Sequence, residues 1–114
     1  MKTIIAGSRS ITDYSSLLQA VLDCPFEVTS VVSGGANGVD QMGEKLAKEY
    51  CLPLEIYNAK WDIYGKSAGY LRNLEMAKNA ESLILLWDGK SKGSLHMWNL
   101  ANEYKLERYR VVIE

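Results

Sequence analysis

The chain has 114 residues, enough for one domain with a real core and too few for two. With 47% hydrophobic and 24% charged residues it has the composition of a globular protein, which excludes a disordered one. A formal net charge of -1 offers no broad basic surface for duplex DNA, and no apolar run reaches the roughly 18–20 residues of a membrane span.

In chain order, "MKTIIAGSRS" runs into a glycine turn rather than a long signal-type apolar region, so "TIIAG" (3–7) reads as a first strand and the protein as cytoplasmic. Residues 13–23 set Leu17, Leu18, Val21 and Leu22 on one helical face, with Thr12 or Asp13 as N-cap. "VTSVVS" (28–33) is the second strand, and the next helix carries Val39, Met42, Gly43, Leu46, Ala47 and Tyr50 as a buried stripe. "LEIYN" (54–58), after Pro53, reads as a short edge strand. A loop leads to a helix over 66–80, with Ser67 near its start and Leu71, Leu74 and Ala77 inward. "SLILLW" (82–87) is apolar throughout, as a strand covered on both faces must be. A helix over 93–106 and a strand "YRVVI" (109–113) complete the chain.

Cys24 and Cys51 stand far apart without a CxxC pattern and read as buried free thiols near helix ends; His96 is the only histidine. No disulfide framework, metal site or Ser/His/Asp triad is suggested. No repeat or linker interrupts residues 1–114, which read as a single domain.

Five alternations of strand and helix predict a parallel sheet with helices on both faces, and covering both faces requires the winding to reverse once. Ligands of such sheets sit at the carboxyl ends of the strands, where the winding reverses. The segments following the strands are "GSRS" (7–10), "SGGANGVD" (33–40), "AKWDIYGKSAG" (59–69) and "WDGKSKGS" (87–94). They gather Arg9, Lys60, Lys66, Lys90 and Lys92, with Arg72 one turn into the following helix, and that rim suits a small anion.

Each segment has two readings. Ser33, Gly34, Gly35, Ala36, Asn37 and Gly38 form either a turn that needs glycine or a cradle of backbone amides for phosphate. Asp40 either contacts a sugar or base or stabilises the helix dipole. Asp88, Gly89, Ser91, Gly93 and Ser94 make a second turn of the same kind, with Ser94 as a candidate N-cap. Arg72 either faces water or clamps a phosphate, beside Asn73, and Trp61 and Tyr64 either pack their loop or stack on a base.

"AGSRS", "SGGANGVD", "W…YGKSAGYLRN…M" and "WDGKSKGSLHM…A" occur in the order that resembles the SLOG superfamily of Rossmann-like proteins, most closely its small stand-alone YspA-like bacterial and phage members. Ser33, Gly34, Ala36, Gly38 and Asp40 look like the corresponding turn of the DNA-processing protein A branch, which binds single-stranded DNA. So do Arg72–Asn73 and Gly93–Ser94–Leu95 followed by Ala101. Arg72 and Met76 are similar to the Arg-x-x-x-Met of the Lonely-Guy phosphoribohydrolases, but Met97 stands where those enzymes carry a catalytic glutamate. A thioether can neither take a proton nor stabilise an oxocarbenium ion.

The expected fold is α/β: a Rossmann-like three-layer sandwich around a five-stranded parallel sheet of order 3-2-1-4-5. The expected function is binding of a nucleotide or nucleotide-derived signal, sensed or sequestered, with no cofactor, metal or membrane. The site expected from the resemblance and the loops comprises Gly7, Ser8, Arg9, the turn 33–38, Asp40, Trp61, Tyr64, Arg72, Asn73 and the second turn. The alternatives are a nucleotide N-glycosidase using Asp40 or Asp88, and a single-stranded nucleic-acid binder. A homo-oligomer, dimer or higher, is also expected, with Trp98 and Tyr104 as candidate interface residues.

Overall fold

Five parallel strands alternate with helices in the computed structural model, which describes residues 1–113. The strands are β1 (Lys2–Gly7), β2 (Ser30–Ser33), β3 (Leu54–Ile56), β4 (Ser82–Trp87) and β5 (Glu107–Val112), in the order β3-β2-β1-β4-β5. The chain winds outward from β1 to β3, returns to place β4 on the other side of β1, and winds outward again to β5. The reversal therefore lies between β1 and β4, whose register runs from Thr3 opposite Ser82 to Gly7 opposite Leu86.

Alternate residues of the central strands feed two cores, as a two-residue pleat requires. Ile5, Ile84 and Leu86 pack with Leu17 of α1 (Tyr14–Asp23) and with Met42 and Leu46 of α2 (Val39–Glu49). Ile4, Leu83 and Leu85 pack on the opposite face with Met76 of α4 (Ala68–Lys78) and with Met97 and Leu100 of α5 (Lys92–Glu103). Asp13 caps α1, its carboxylate accepting from the Ser15 amide at 3.2 Å. At β5 the guanidinium of Arg108 lies 4.1 Å over the Trp98 ring and that of Arg110 4.7 Å from it.

Several elements differ from the sequence expectation. A short helix α3 (Trp61–Tyr64) and a 3₁₀ turn (Gly65–Ser67) occupy the stretch read as loop, so α4 starts at Ala68. Strand β2 starts at Ser30, β3 ends at Ile56, and α5 runs from Lys92 only to Glu103. Strand β5 begins at Glu107, its polar first half masking an edge strand. Leu22 is 79% exposed because five residues carry it about 140° round the helix from Leu17. Tyr50 lies just past the end of α2, where the chain turns through Cys51 at a φ of 55°, and both residues are exposed. Cys24 is half-buried, so neither thiol is the buried one expected. Leu71 is exposed, since α4 turns Ala68, Asn73, Met76 and Ala77 inward. Ser91, not Ser94, caps α5, because the helix begins one residue before Gly93.

Candidate functional site

The loops after β1 and β4 are clasped together at the winding reversal. The Ser8 amide donates to Leu86 O at 3.1 Å, and the Ser8 hydroxyl accepts from the Asp88 amide at 3.0 Å. Asp88 completes the clasp: its carboxylate accepts from the amides of Lys90 (2.8 Å) and Ser91 (2.9 Å) and from the Ser10 hydroxyl (3.2 Å). Those donors, the two amides foremost, hold its pKa down at about 2. Ser91 in turn accepts from the Ser94 amide at 3.3 Å, which starts α5. The first amides of α5, those of Lys92 and Gly93, precede any intrahelical acceptor. Gly93 lines the cavity described below, and apart from its chain neighbours and its own helix no heavy atom lies within 4 Å of where a side chain there would begin.

The turn after β2 is built differently. Buried Ser33 accepts from the Gly35 amide at 3.1 Å and donates to Glu44 at 2.8 Å. Asp40, 6% exposed, accepts from the Ala36 amide at 3.1 Å. Two amides of the glycine turn thus already have internal acceptors. Gly38, with a φ of 77°, lies so close to the first loop that a Cβ there would sit 2.6 Å from Arg9 O. Its glycine serves loop packing as well as the left-handed backbone. Burial pushes the Asp40 carboxyl up to about 6, against the opposing pull of the Ala36 amide, Arg72 and Arg9.

Arg72 joins this turn to the helices. Its Nη1 donates to Gly34 O and its Nε to Asn73 Oδ1 at 3.1 Å. A Cβ at Gly34 would stand 2.7 Å from both Arg72 Nη1 and Asp40 Oδ2, so only glycine admits both groups. Buried Asn73 donates onward to Gly93 O at 3.3 Å and lies 3.2 Å from His96 Nδ1. The Tyr70 ring meets His96 edge-on with centroids 4.6 Å apart, and burial lowers the imidazole pKa.

These elements enclose a cavity of about 510 Å³ at the reversal. Gly7, Ser8 and Arg9 line it from the first loop, and Ala36 and Asp40 from the second. Trp61, Arg72 and Asn73 close it on the α4 side, and Asp88, Ser91, Gly93 and Ser94 at the head of α5. Met76 and Met97, both nearly inaccessible, contribute to its apolar lining. Ser33, Gly34, Gly35, Asn37 and Gly38 belong to the turn without lining the cavity, and Asn37 accepts from Gln41 at 3.2 Å. Gly89 lies outside it, at a φ of 80°. Tyr64 faces a second cavity of about 440 Å³ between β3 and α4. The lining residues not singled out as site residues are Ala6, Ser10, Lys66, Gly69, Tyr70, Met76 and Met97. Positions 66, 69, 70, 73 and 76 form a helical stripe, a signal present in the sequence.

Trp98 is half-buried under the two arginines of β5, and Tyr104 is exposed. Among the described residues no cluster of three His, Cys, Asp or Glu has metal-site geometry, and no helix is long and apolar enough to cross a membrane.

No family model matches the chain. It is 31% identical over 105 residues to the Gene 61 protein of Mycobacterium phage D29, covering 83% of each chain. It superposes on the X-ray structure of DNA processing protein A (DprA) from Streptococcus pneumoniae with a TM-score of 0.78 and 18% identity. That match covers 99% of this chain but 50% of the DprA chain, so the two share a fold over half of the larger protein. The fold is the Rossmann-like one that the SLOG motifs imply.

Proposed function

This chain belongs to the family of the Gene 61 protein of Mycobacterium phage D29, and we propose that it binds a nucleotide or nucleotide-derived ligand in the cavity between β1 and β4. The observation that carries this reading is the cavity itself. It lies where ligands of doubly wound sheets sit, and its volume of about 510 Å³ suits a small molecule. Three cations line it, Arg9, Lys66 and Arg72. Of its two carboxylates, Asp88 accepts two backbone amides on Oδ1 and the Ser10 hydroxyl on Oδ2, and Asp40 is buried.

In this reading the phosphate sits on the open amides at the head of α5 rather than on the glycine turn, whose Gly35 and Ala36 amides are occupied. The free hydrogens of Arg72 and the Arg9 guanidinium neutralise it. Asp40 meets a sugar hydroxyl, and Trp61, 51% exposed at the cavity wall, covers the base. The protein senses or sequesters its ligand.

A second reading, hydrolysis of a nucleotide N-glycosidic bond, is favoured by one observation. Asp40 lines the cavity with its pKa raised to about 6, within range of an acid at neutral pH. Asp88, held at about 2, is unsuited to that role, and α5 offers only the thioether of Met97. Release of free base from nucleoside monophosphates, abolished by Asp40→Asn, would establish it.

The test of binding is a thermal-shift panel of mononucleotides and their derivatives on wild type and Arg72→Ala. Ligand at a hundred times its Kd should add about 2.7 kcal/mol to stability. A shift lost in the variant supports the reading; no shift with any nucleotide refutes it.

A further inference from the structure

The second cavity shares one residue with the first. Helix α4 separates them: Gly69, Asn73 and Met76 face the first cavity, and Ala68, Leu71 and Glu75 the second. Arg72 lines both. Its Nη1 and Nε are engaged by Gly34 O and Asn73 Oδ1. Its Nη2 lies 3.9 Å from where a side chain at Gly69 would begin. The guanidinium is thus fixed by two protein contacts and has donors left at the boundary between two spaces of similar size, about 510 and 440 Å³.

The second space has the furniture of a base and a phosphate. Tyr57 and Tyr64 offer aromatic faces, Tyr64 being 52% exposed with no role in the core. Asn58 and Glu75 offer hydrogen-bonding edges, and Lys60 and Lys78 positive charge. An arginine held between two nucleoside-sized spaces is suited to a phosphate that belongs to both, because its planar fork keeps donors in fixed directions.

We propose that the ligand is a dinucleotide: one nucleoside in the cavity between β1 and β4, the second between β3 and α4, and the linking phosphate on Arg72. This rests on the nucleotide reading above and deepens it by naming the ligand class. It also gives Tyr64 a function, since the residue does not line the first cavity and belongs to neither core cluster.

The test measures binding of the four ribonucleoside 5′-monophosphates, the four symmetric 5′-phosphorylated dinucleotides and the matching tetranucleotides by calorimetry. The expected result is that the preferred dinucleotide binds about tenfold more tightly than its monophosphate, the size of one base–aromatic stack. Tyr64→Ala should remove that advantage, and Tyr64→Phe should restore it, because stacking needs the ring and not the hydroxyl. Equal affinity for monophosphate and dinucleotide would overturn the proposal and leave the nucleotide reading standing. So would an advantage that survives Tyr64→Ala. A further gain of tenfold or more for the tetranucleotide would overturn it in favour of a single-stranded nucleic-acid tract. Absence of binding by every probe would remove the nucleotide reading and the dinucleotide with it.

Discussion

Replacing Asp40 by Asn should make the protein more stable at neutral pH, although the residue is buried and hydrogen-bonded. The folded protein raises the Asp40 pKa from 3.8 to about 6, because burial disfavours the anion more than the Ala36 amide, Arg72 and Arg9 favour it. The folded state therefore holds a proton that the unfolded chain has released between about pH 4 and 6. The stability associated with protonated Asp40 is fully present below the unfolded pKa and is lost as pH rises through the folded one. A shift of about two pKa units amounts to about 3 kcal/mol at pH 7. Asparagine is neutral throughout and retains an oxygen to accept from the Ala36 amide, so it avoids this penalty. Urea unfolding of both proteins at intervals from pH 4 to 7.5 isolates the effect, since titrating groups not coupled to Asp40 cancel in the difference. The gap should move in favour of the variant by about 3 kcal/mol across that range, with its midpoint between 4 and 6. A pH-independent difference, or one that moves the other way, would refute the assignment of burial as the dominant cause.

Two further substitutions probe the frame of the site. Gly34→Ala places a methyl 2.7 Å from both Arg72 Nη1 and Asp40 Oδ2, so it should displace the guanidinium and abolish the nucleotide-induced thermal shift while the protein still folds. A retained shift in that variant would dissociate Arg72 from binding. Asp88→Ala removes the acceptor shared by the Lys90 and Ser91 amides, and hydrogen exchange at those two amides should accelerate while β4 stays protected.

The central strands were legible because "TIIAG" and "SLILLW" are buried on both sides, and burial of that kind demands an uninterrupted apolar run. The two edges were harder. Strand β5 opens with Glu107 and Arg108, side chains an edge strand can keep half in solvent, so the strand pattern shows in the sequence only from Tyr109. For the site, the rule that ligands gather at strand carboxyl ends brought Arg9, Asp40, Arg72 and Ser94 into one cavity. What the residues could not disclose is which way each faces. Gly34 and Gly38 signal close approach equally well whether the neighbour is a phosphate or, as here, Arg72 and the Arg9 backbone. Trp61 and Tyr64 read as flanking one base because both lie in the segment after the third strand. The short helix between Trp61 and Tyr64 and the wall of α4 send them to different spaces.

The two outer strands bear on how copies of this chain can meet. An exposed strand edge invites another strand to extend the sheet, and proteins resist this with short edges or with charge. Here β3 offers only Leu54–Ile56, and β5 carries Arg108 and Arg110, whose guanidinium groups are drawn onto the Trp98 ring. The ladder is guarded at both margins, by brevity on one and by the charge of two arginines on the other. Growth into a continuous intermolecular sheet is disfavoured, and the helical layers are left as the surfaces through which a second molecule can be met.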